Sequence, residues 1–337
     1  MKALVTGGTG FIGSHLVDEL IEQGYDVRVL RRTTSNITFL QNKTVSWVIG
    51  DLADKKSLEQ ACQEVDVVFH VAALPRDWGA KKTFFEVNVD GTKHLLDACV
   101  HNEVSRFVFM SSAAVYGFPK TRQPLTEEYR KHPTAKYGES KLCAEELLWD
   151  YGRQHNIIVS AIRSPLVTGP RDRLVGLFLI GALQQGRLFY IDDGNQTFSV
   201  SDGRDVAHCL RLAGESSQVH GQVYNVKSFD STPRQLIETL AERLKLPKPQ
   251  KQRSYFSAYV LASIIEGIWM LQRKGNPPFT RHKAKVMGSP RIIDITKATQ
   301  DLKYVPQYTY TSTVDDLVSW YQTITSGSST GTQKSLE

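Results

Sequence analysis

The chain alternates between short runs of apolar residues and segments in which apolar residues recur every three or four positions. The short runs are rich in Val, Ile and Phe and predict six strands: ALVT, DVRVL, VSWVIG, DVVFHVA, RFVFMSS and IIVSAIR. Helical spacing fills the stretches between them, as in FIGSHLVDELIEQG, KKSLEQACQEV and FEVNVDGTKHLLDACVHN. Repeated alternation of strand and helix predicts an α/β fold, with a doubly wound parallel sheet covered by helices on both faces.

After about residue 170 the pattern loosens into short strands and longer helical segments. RLFYI and QVYNV predict strands, and helices are predicted near 232–246, 254–273 and 311–325. We expect a smaller substrate-side lobe here, and not an independently folding domain. The predicted boundaries are 1–170 for the sheet domain, with parts of 187–230 returning to it, 171–325 for the lobe, and 326–337 for a disordered tail.

The composition is that of an ordinary folded protein, since 41% of the 337 residues are hydrophobic and 23% are charged. The four cysteines are too scattered for a metal site, so we expect reduced thiols and no metal: Cys62, Cys99, Cys143 and Cys209. The chain shows no signal-peptide pattern and no uncharged apolar run long enough to cross a membrane. These features predict a cytoplasmic protein.

The formal net charge of +6 is concentrated in one segment. Residues 248–285 hold eight Lys or Arg and a single acid, Glu266, so the rest of the chain is close to neutral. A basic character confined to one segment does not indicate a nucleic-acid partner, and we expect none.

The stretch LVTGGTGFIG, at 4–13, places several glycines between the first predicted strand and the first predicted helix. Glycine lets the backbone turn sharply and lets a ligand approach the amides, and a helix N-terminus attracts a pyrophosphate. The spacing Gly-x-x-Gly-x-x-Gly differs from the commonest dinucleotide pattern, and a tight turn in any α/β protein is the alternative interpretation. We predict a dinucleotide site that includes Gly7, Thr9, Gly10, Phe11, Ile12 and Gly13.

Two basic residues, Arg31 and Arg32, follow the second predicted strand. An acid at this place suits the ribose hydroxyls of NAD, whereas an arginine suits the 2′-phosphate of NADP. We therefore predict NADP as the cofactor, with NAD the less favoured choice, although both arginines could also be solvated surface charges.

SSAAVYG, at 111–117, follows a predicted strand, and YGESK, at 137–141, opens a predicted helix. Tyr137 and Lys141 are four positions apart, so they share one helix face. An ammonium beside a phenol is expected to lower the tyrosine pKa and to make it a usable proton donor and acceptor. A serine hydroxyl could then hydrogen-bond the reacting oxygen, although a surface pair of Tyr and Lys is the alternative.

Taken together, these motifs resemble the extended short-chain dehydrogenase/reductase family. The resemblance is carried in order by TGGTGFIG, GDL at 50–52, HVAA at 70–73, NVDGT at 88–92, SSAAVYG, YGESK and GPRDR at 169–173. It implies a Rossmann-type dinucleotide domain followed by a smaller C-terminal substrate-binding lobe.

The same resemblance implies a role for individual residues. Tyr137 would be the general acid/base, and Lys141 would hold the nicotinamide ribose and lower the Tyr137 pKa. Ser112 would bind the substrate oxygen, with Ser111 the less favoured serine. The remaining positions would line the cofactor: Asp51 and Leu52 at the adenine, Ala72, Ala73 and Asn88 along its length, and Pro165, Leu166 and Val167 beside the nicotinamide.

Within this family, the chain looks nearest to the 3β-hydroxysteroid dehydrogenase and dihydroflavonol reductase branch. Nucleotide-sugar epimerases and dehydratases often carry an Asn in the stretch matching IRSPLVTGP and an Arg before that matching FSVSDGRDVA, and neither is present here. We predict an NAD(P)-dependent enzyme that interconverts a secondary alcohol and a ketone on a hydrophobic steroid-, flavonoid- or hydroxyacyl-like substrate. A nucleotide-sugar epimerase or dehydratase and a non-catalytic dinucleotide-responsive binding protein remain as alternatives, and homodimer formation is left open.

Residues 254–273 have a helical stripe formed by Phe256, Val260, Ile264, Ile268 and Leu271. Leu261, Ile265 and Trp269 widen the stripe, and Ser263, Glu266 and Gly267 form a narrow polar edge. One interpretation is a helix that buries this stripe on the second lobe. The other uses the basic flanks of the segment and predicts a peripheral contact with an anionic membrane surface.

Overall fold

The computed structural model describes residues 1–121, 123–272 and 275–326. The strands described there are β1 (Lys2–Thr6), β2 (Asp26–Arg31), β3 (Ser46–Ile49), β4 (Val67–His70), β5 (Arg106–Ser112), β6 (Ile158–Ser164), β7 (Leu166–Thr168), β8 (Tyr190–Ile191), β9 (Phe198–Asp202), β10 (Gln222–Asn225), β11 (Phe229–Ser231) and β12 (Gln252–Arg253).

The α-helices in the same ranges are α1 (Phe11–Glu22), α2 (Lys55–Cys62), α3 (Lys81–Phe85), α4 (Gly91–His101), α5 (Lys136–Gln154), α6 (Val175–Gln184), α7 (Gly203–Glu215), α8 (Pro233–Leu244), α9 (Tyr255–Gln272), α10 (Arg281–Gly288), α11 (Thr296–Leu302) and α12 (Tyr310–Ser326). A π-helical turn covers Glu86–Asp90, and a 3₁₀ turn covers Ala113–Tyr116.

Seven parallel strands form the main sheet in the order β10-β6-β5-β4-β1-β2-β3. This order confirms the predicted Rossmann-type doubly wound sheet. The order reverses between β1 and β4, so the loops after these two strands diverge and open a crevice at the carboxyl edge. The glycine loop after β1 and the loop after β4 lie at this edge, where such folds bind their ligands.

Helices cover both faces of the sheet, because its central strands are apolar on both sides. On one face α1 and α7 pack over residues such as Val5, Val29 and Phe69. On the other face α2, α4 and α5 pack over residues such as Leu4 and Phe107. The six strands predicted in the first half of the chain coincide with β1 to β6.

The C-terminal lobe is built from small sheets and helices. Its sheets contain three strands, β11-β9-β7, and two strands, β12-β8. Helices α6, α8 and α12 share an apolar core that includes Ile180, Leu240 and Leu317. The strand predicted at RLFYI is reduced to β8, whereas the one predicted at QVYNV, β10, pairs with β6 at the edge of the main sheet.

Helix α9 presents its apolar stripe outward. Phe256 is 77% exposed, Ile264 is 56% exposed and Leu271 is 86% exposed. The face turned to the protein consists of Ala258, Ala262 and Glu266. The interpretation in which this stripe is buried on the second lobe is therefore wrong, since the helix packs through two alanines and its only carboxylate.

The carboxylate of Glu266 is satisfied inside the lobe, because it accepts hydrogen bonds from the backbone N–H of Arg281 at 2.8 Å and from its Nε at 2.5 Å. Within the described ranges, no helix combines the length and hydropathy needed to cross a bilayer. Arg273, Lys274 and the predicted tail from residue 327 onward lie outside the described residues.

Candidate active site

The glycine loop after β1 is shaped by backbone contacts that a side chain would block. Gly7 has φ +71, and a Cβ there would lie 2.6 Å from the backbone nitrogen of Ala72. A Cβ at Gly13 would lie 2.1 Å from the carbonyl oxygen of Gly7. These glycines let the loop touch both the loop after β4 and the first turn of α1, as a phosphate cradle requires.

The N-terminus of α1 is open toward this loop. Gly10 is the N-cap residue, and no side chain caps the helix. The first amides of a helix have no intrahelical partner, so those of Phe11, Ile12 and Gly13 are available to an anion. The Phe11 ring packs against Gly203 at the start of α7, so the residue can offer only its backbone to the site.

The predicted 2′-phosphate site at the end of β2 contains a polar atom without a partner. Arg31 is half-buried and its guanidinium stacks 5.4 Å from the centroid of the Trp47 ring. Its Nε is buried and has no hydrogen bond to any described residue, and its Nη1 reaches the carbonyl of Arg32 at 3.3 Å. The Arg32 side chain is exposed. A glycine cradle, an open helix terminus and an arginine whose Nε has no partner among the described residues together fit a phosphorylated dinucleotide.

The other predicted cofactor residues lie along the same carboxyl edge. Asp51 is exposed, and its carboxylate accepts a hydrogen bond from the Ala53 amide at 2.9 Å. Leu52 packs against Gly91 at the start of α4. Ala72 and Ala73 are half-buried in the loop after β4, where the Ala72 amide donates to Thr6 Oγ1 at 3.3 Å.

Asn88 lies in the π-helical turn, and its amide is used inside the protein. Its Oδ1 accepts from the Leu74 amide at 2.8 Å, and its Nδ2 donates to Ser140 Oγ at 2.9 Å. The side chain therefore ties the loop after β4 to helix α5. Such π-helical insertions frequently occur at functional sites.

Pro165 is buried directly after β6, and Leu166 and Val167 are half-buried in β7. These residues therefore lie at the carboxyl edge of the main sheet, just after β6. The neighbouring strand, β5, ends at Ser112 on the same edge. This is the side of the sheet on which the resemblance places the nicotinamide.

The two candidate serines at the end of β5 differ in their surroundings. Ser111 is buried, and its hydroxyl donates to Glu145. Ser112 is half-buried, and its Oγ accepts from the Ala114 amide at 3.1 Å, so its own hydrogen is free to donate. Of the two serines, Ser112 is the one that forms a side-chain hydrogen bond with the phenol of Tyr137. The structure thus brings together Ser112 and Tyr137, the pair that the sequence favoured.

Helix α5 reaches the turn after Ser112 because Gly138 leaves space for it. A Cβ at this position would lie 2.6 Å from the carbonyl oxygen of Ala114. This contact holds the first turn of α5, with Tyr137, against the 3₁₀ turn.

The sequence predicted that Lys141 lowers the pKa of Tyr137. In the protein without cofactor this prediction is wrong, because the pKa of Tyr137 is raised. Burial raises the pKa of Tyr137 to about 12, and only the interaction with Ser112 opposes the shift. Lys141 makes no contribution to this pKa shift, and its ammonium lies 3.8 Å from the centroid of the Phe109 ring. Desolvation of a phenolate therefore dominates, and Tyr137 is protonated at neutral pH.

Lys141 is almost fully buried, with 1% of its surface exposed. Burial lowers its pKa to about 7, and the charge of Glu145 opposes this shift. A buried lysine with a strongly lowered pKa is a candidate functional residue.

A buried polar network joins β5, β6 and α5, the elements that carry or adjoin the candidate catalytic residues. Arg163 of β6 forms an ion pair with Glu145 of α5 at 2.6 Å, and both side chains are 1% exposed. Arg163 Nη1 also donates to the Tyr116 hydroxyl at 2.8 Å. The network fixes β5, β6 and α5 relative to one another. Glu145 was not predicted from the sequence, although it follows Lys141 by the same four-residue spacing that links Lys141 to Tyr137.

Comparison with known proteins agrees with this geometry. A model of the NAD-dependent epimerase/dehydratase family matches residues 3–226. The 2-alkyl-3-oxoalkanoate reductase of Stenotrophomonas maltophilia is 30% identical over 321 residues, which cover 91% of this chain and 95% of that protein. The decarboxylating sterol-4-alpha-carboxylate 3-dehydrogenase of Mus musculus is 28% identical over 329 residues, which cover 94% and 90%. Among solved structures, the UDP-glucose 4-epimerase of Thermotoga maritima with UDP-glucose has a TM-score of 0.79 at 26% identity, covering 96% of this chain and 100% of that one.

Proposed function

The chain belongs to the NAD-dependent epimerase/dehydratase family, and from this premise we propose that it is an NADP-linked oxidoreductase that interconverts a ketone and a secondary alcohol on a hydrophobic substrate. The resemblance to extended short-chain dehydrogenases/reductases is thereby confirmed, and the protein is an NAD(P)-dependent enzyme. The observation that carries the proposal is the juxtaposition of Ser112 and Tyr137, with Lys141 buried one helical turn away.

Each catalytic side chain has one task in the reductive direction. The nicotinamide supplies the hydride to the carbonyl carbon when the cofactor is bound. Ser112 donates a hydrogen bond to the carbonyl oxygen, and Tyr137 transfers its phenolic proton to that oxygen as it becomes a hydroxyl. A tyrosine is protonated at neutral pH, and burial raises the pKa of Tyr137 further, to about 12, so the phenol holds the proton that reduction requires. Lys141 positions the ribose beside Tyr137.

The choice of NADP is supported by Arg31. Its unpartnered Nε and half-buried guanidinium suit a phosphate, which accepts the forked hydrogen bonds of an arginine. No acid occupies the first positions after β2, where one would contact the ribose hydroxyls of NAD.

The hydrophobic substrate is supported by the sequence and by the relatives. Ser164 and Leu166 replace the asparagine often found in nucleotide-sugar enzymes, and Gln196 and Thr197 stand where an arginine often precedes β9. The two relatives at 30% and 28% identity are named as a reductase of 2-alkyl-3-oxoalkanoates and a dehydrogenase of sterol carboxylates. The structural likeness to a UDP-glucose epimerase keeps nucleotide-sugar epimerisation as the alternative.

We also propose that the outward stripe of α9 lies on an anionic membrane surface. The exposed residues Phe256, Val260, Ile264, Ile268 and Leu271 form one continuous apolar face. Exposed Lys251 and Arg253 precede the helix, and its only acid is turned inward and paired. An apolar face beside free positive charge, with no exposed acid on the helix, is complementary to the interface of an anionic bilayer. A lipid-like substrate could be collected there.

The test is an NADPH-consumption assay with a panel of 3-oxo acids, their methyl esters and cyclic ketones, with UDP-glucose tested in parallel. The proposal predicts consumption of NADPH with at least one class of ketone and none with UDP-glucose. Conversion of UDP-glucose to its 4-epimer without net consumption of cofactor would establish the alternative. Binding of NADPH with no turnover of any carbonyl compound would favour a dinucleotide-responsive binding protein.

A further inference from the structure

A cluster of three side chains lies beside the 3₁₀ turn Ala113–Tyr116, which follows Ser112 and which we call the catalytic turn. Phe118 follows that turn two residues after Tyr116, and the guanidinium of Arg291 lies 5.1 Å from the centroid of the Phe118 ring. The ring of His282, in the first turn of α10, meets Phe118 edge-on at a centroid distance of 5.6 Å. We call Phe118, His282 and Arg291 the aromatic-basic cluster.

Two contacts of neighbouring residues connect the segments that carry this cluster to the candidate site. Ile293, two residues after Arg291, packs in the same small core as Ala113 and Val115 of the catalytic turn. At the start of α10, Thr280 donates to Asp77 in the loop after β4, at 2.6 Å. The segment of Arg291 therefore contacts the turn after Ser112, and the segment of His282 contacts the loop after β4.

The backbone around Arg291 is fixed. Its N–H donates to the Thr197 carbonyl at 3.0 Å, and its own carbonyl accepts from the Ser199 amide at 3.0 Å. These hydrogen bonds tie the backbone of the segment to β9, and the guanidinium contacts the ring of Phe118.

No described carboxylate balances the charge of Arg291. The side chain is half-buried, and no carboxylate among the described residues forms an ion pair with it. Burial alone lowers its pKa to about 10, so it remains a cation at neutral pH. Three other arginines of the fold show the usual arrangement: Arg163 pairs with Glu145, Arg204 with Asp202, and Arg211 with Glu19. A desolvated cation without a counter-charge is unfavourable until an anion arrives.

His282 adds a neutral polar group to the same place. Burial, followed by the charge of Arg291, lowers its pKa to about 4, while Asp77 opposes the shift. The charges of Lys285 and Lys283 also lower it. Its Nδ1 is buried and has no hydrogen-bond partner among the described residues. The cluster therefore offers one positive charge and one unused imidazole nitrogen to whatever enters the site.

We propose that Arg291 and His282 form the subsite for a carboxylate of the substrate, so that the enzyme acts on a ketone or alcohol that carries a carboxylate beside an apolar body. This inference rests on the proposed function, which it deepens by naming the substrate class. Arg291 binds the carboxylate through its forked N–H groups, and His282 donates one further hydrogen bond through its ring N–H. Phe118 excludes water from the ion pair, which strengthens it.

The experiment compares a 3-oxo acid with its methyl ester in the wild-type enzyme and in Arg291→Met. For the acid, the substitution should lower kcat/KM by roughly 10- to 100-fold, mainly through KM, because a charge-assisted contact is lost. For the ester, the change should stay within about threefold. Arg291→Lys should recover part of the loss, and Arg153→Met, at an exposed arginine, should behave as wild type.

A second readout does not depend on turnover. With NADP present, a 3-hydroxy acid should raise the Tm of the wild-type protein and not that of Arg291→Met, whereas the corresponding neutral alcohol should act equally on both. Equal kinetic losses for acid and ester, or a wild-type enzyme that reduces ketones without preferring the acid, would overturn the subsite and leave the proposed function intact. A Tm increase that requires Arg291 but is produced by UDP-glucose and not by the acid would assign the subsite to a diphosphate, and the carboxylate assignment would be wrong.

Discussion

Lys141 is held in surroundings that disfavour its charge. Its ammonium lies over the ring of Phe109, and burial lowers its pKa to about 7 from the ordinary value of 10.5. Between these two pH values the unfolded chain holds a proton that the folded chain releases. The free energy of unfolding associated with this group therefore rises with pH from about 7 to about 10, and the cost of the buried charge is largest below pH 7.

We predict that Lys141→Met stabilises the cofactor-free protein at pH 6 while it abolishes catalysis. The gain in the free energy of unfolding should be on the order of 1 kcal/mol and should shrink as the pH approaches 10. Urea denaturation of both proteins at several pH values measures this difference. Lys55→Met, at an exposed position on α2, is the control and should show no such pH-dependent gain. A variant that is less stable than wild type at pH 6 would contradict the assignment of Lys141 as a strained functional group.

Arg31 carries the prediction on cofactor choice. Arg31→Asp should weaken NADPH binding by roughly 100-fold and should reverse the preference toward NADH, since a phosphate contact is replaced by repulsion. Isothermal titration with both cofactors measures the effect. The same substitution at the exposed Arg32 should give a smaller loss. Tighter binding of NADH than NADPH by the wild-type protein would show that Arg31 does not select the cofactor.

At the residue scale, the sequence could predict which side chains share the site but not their electrostatic state. Helical spacing placed Tyr137 and Lys141 on one face, yet the direction of the Tyr137 pKa shift depends on burial, which spacing does not reveal. Arg291 was not predicted either. Its contact with Phe118 is made by segments far apart in the chain. That it has no ion pair with any described carboxylate can be seen only in three dimensions.

At the scale of elements, α9 was predicted correctly as a helix, but its apolar stripe faces outward and not toward the lobe. The apolar stripe was recognised from its spacing, but amphipathic spacing alone does not say which face meets the protein. The small side chains of Ala258 and Ala262 allow close packing on the inner face, and the ion pair of Glu266 with Arg281 makes a buried carboxylate tolerable. Ile265 and Trp269, which widened the predicted stripe, are half-buried.

We predict salt-sensitive binding of the protein to vesicles made of equal parts of phosphatidylglycerol and phosphatidylcholine. The double substitution Phe256→Ser and Ile264→Ser should reduce the partition coefficient by roughly tenfold or more, because two exposed apolar side chains no longer enter the interface. Co-sedimentation at low and high salt measures this effect. Val305→Ser removes an exposed apolar side chain, 62% exposed, from another part of the molecule and should have no effect. Equal recovery of wild type in the supernatant with and without vesicles would exclude the membrane contact.

At the scale of the whole molecule, the alternation of strands and helices was sufficient to predict the doubly wound sheet. The six strands of the first half follow apolar runs, and the glycine loop falls where the strand order reverses. The lobe was less predictable, because β7, β9 and β11 are short and are held by pairing with one another and not by a strong local pattern. The return of β10 to the main sheet was anticipated only as a segment within 187–230.

The arrangement also explains why the site lies between the two parts of the chain. The main sheet supplies the cofactor cradle, β5 supplies Ser112, and α5 supplies Tyr137 and Lys141. The segments after α9 contact the elements around the site at two places. Thr280 donates to Asp77 in the loop after β4, and Ile293 packs beside the turn after Ser112. Under the proposed function, the lobe selects the substrate and the sheet domain carries the residues of hydride transfer.

The central claim, proton transfer by Tyr137 in an NADPH-linked reduction, is tested most directly by comparing wild type with Tyr137→Phe on the best ketone substrate. The substitution keeps the ring and removes only the hydroxyl. The account predicts a fall in kcat of at least about 100-fold with an unchanged dissociation constant for NADPH. A variant that turns over at a rate near that of wild type would contradict the account, since the proton would then come from another group.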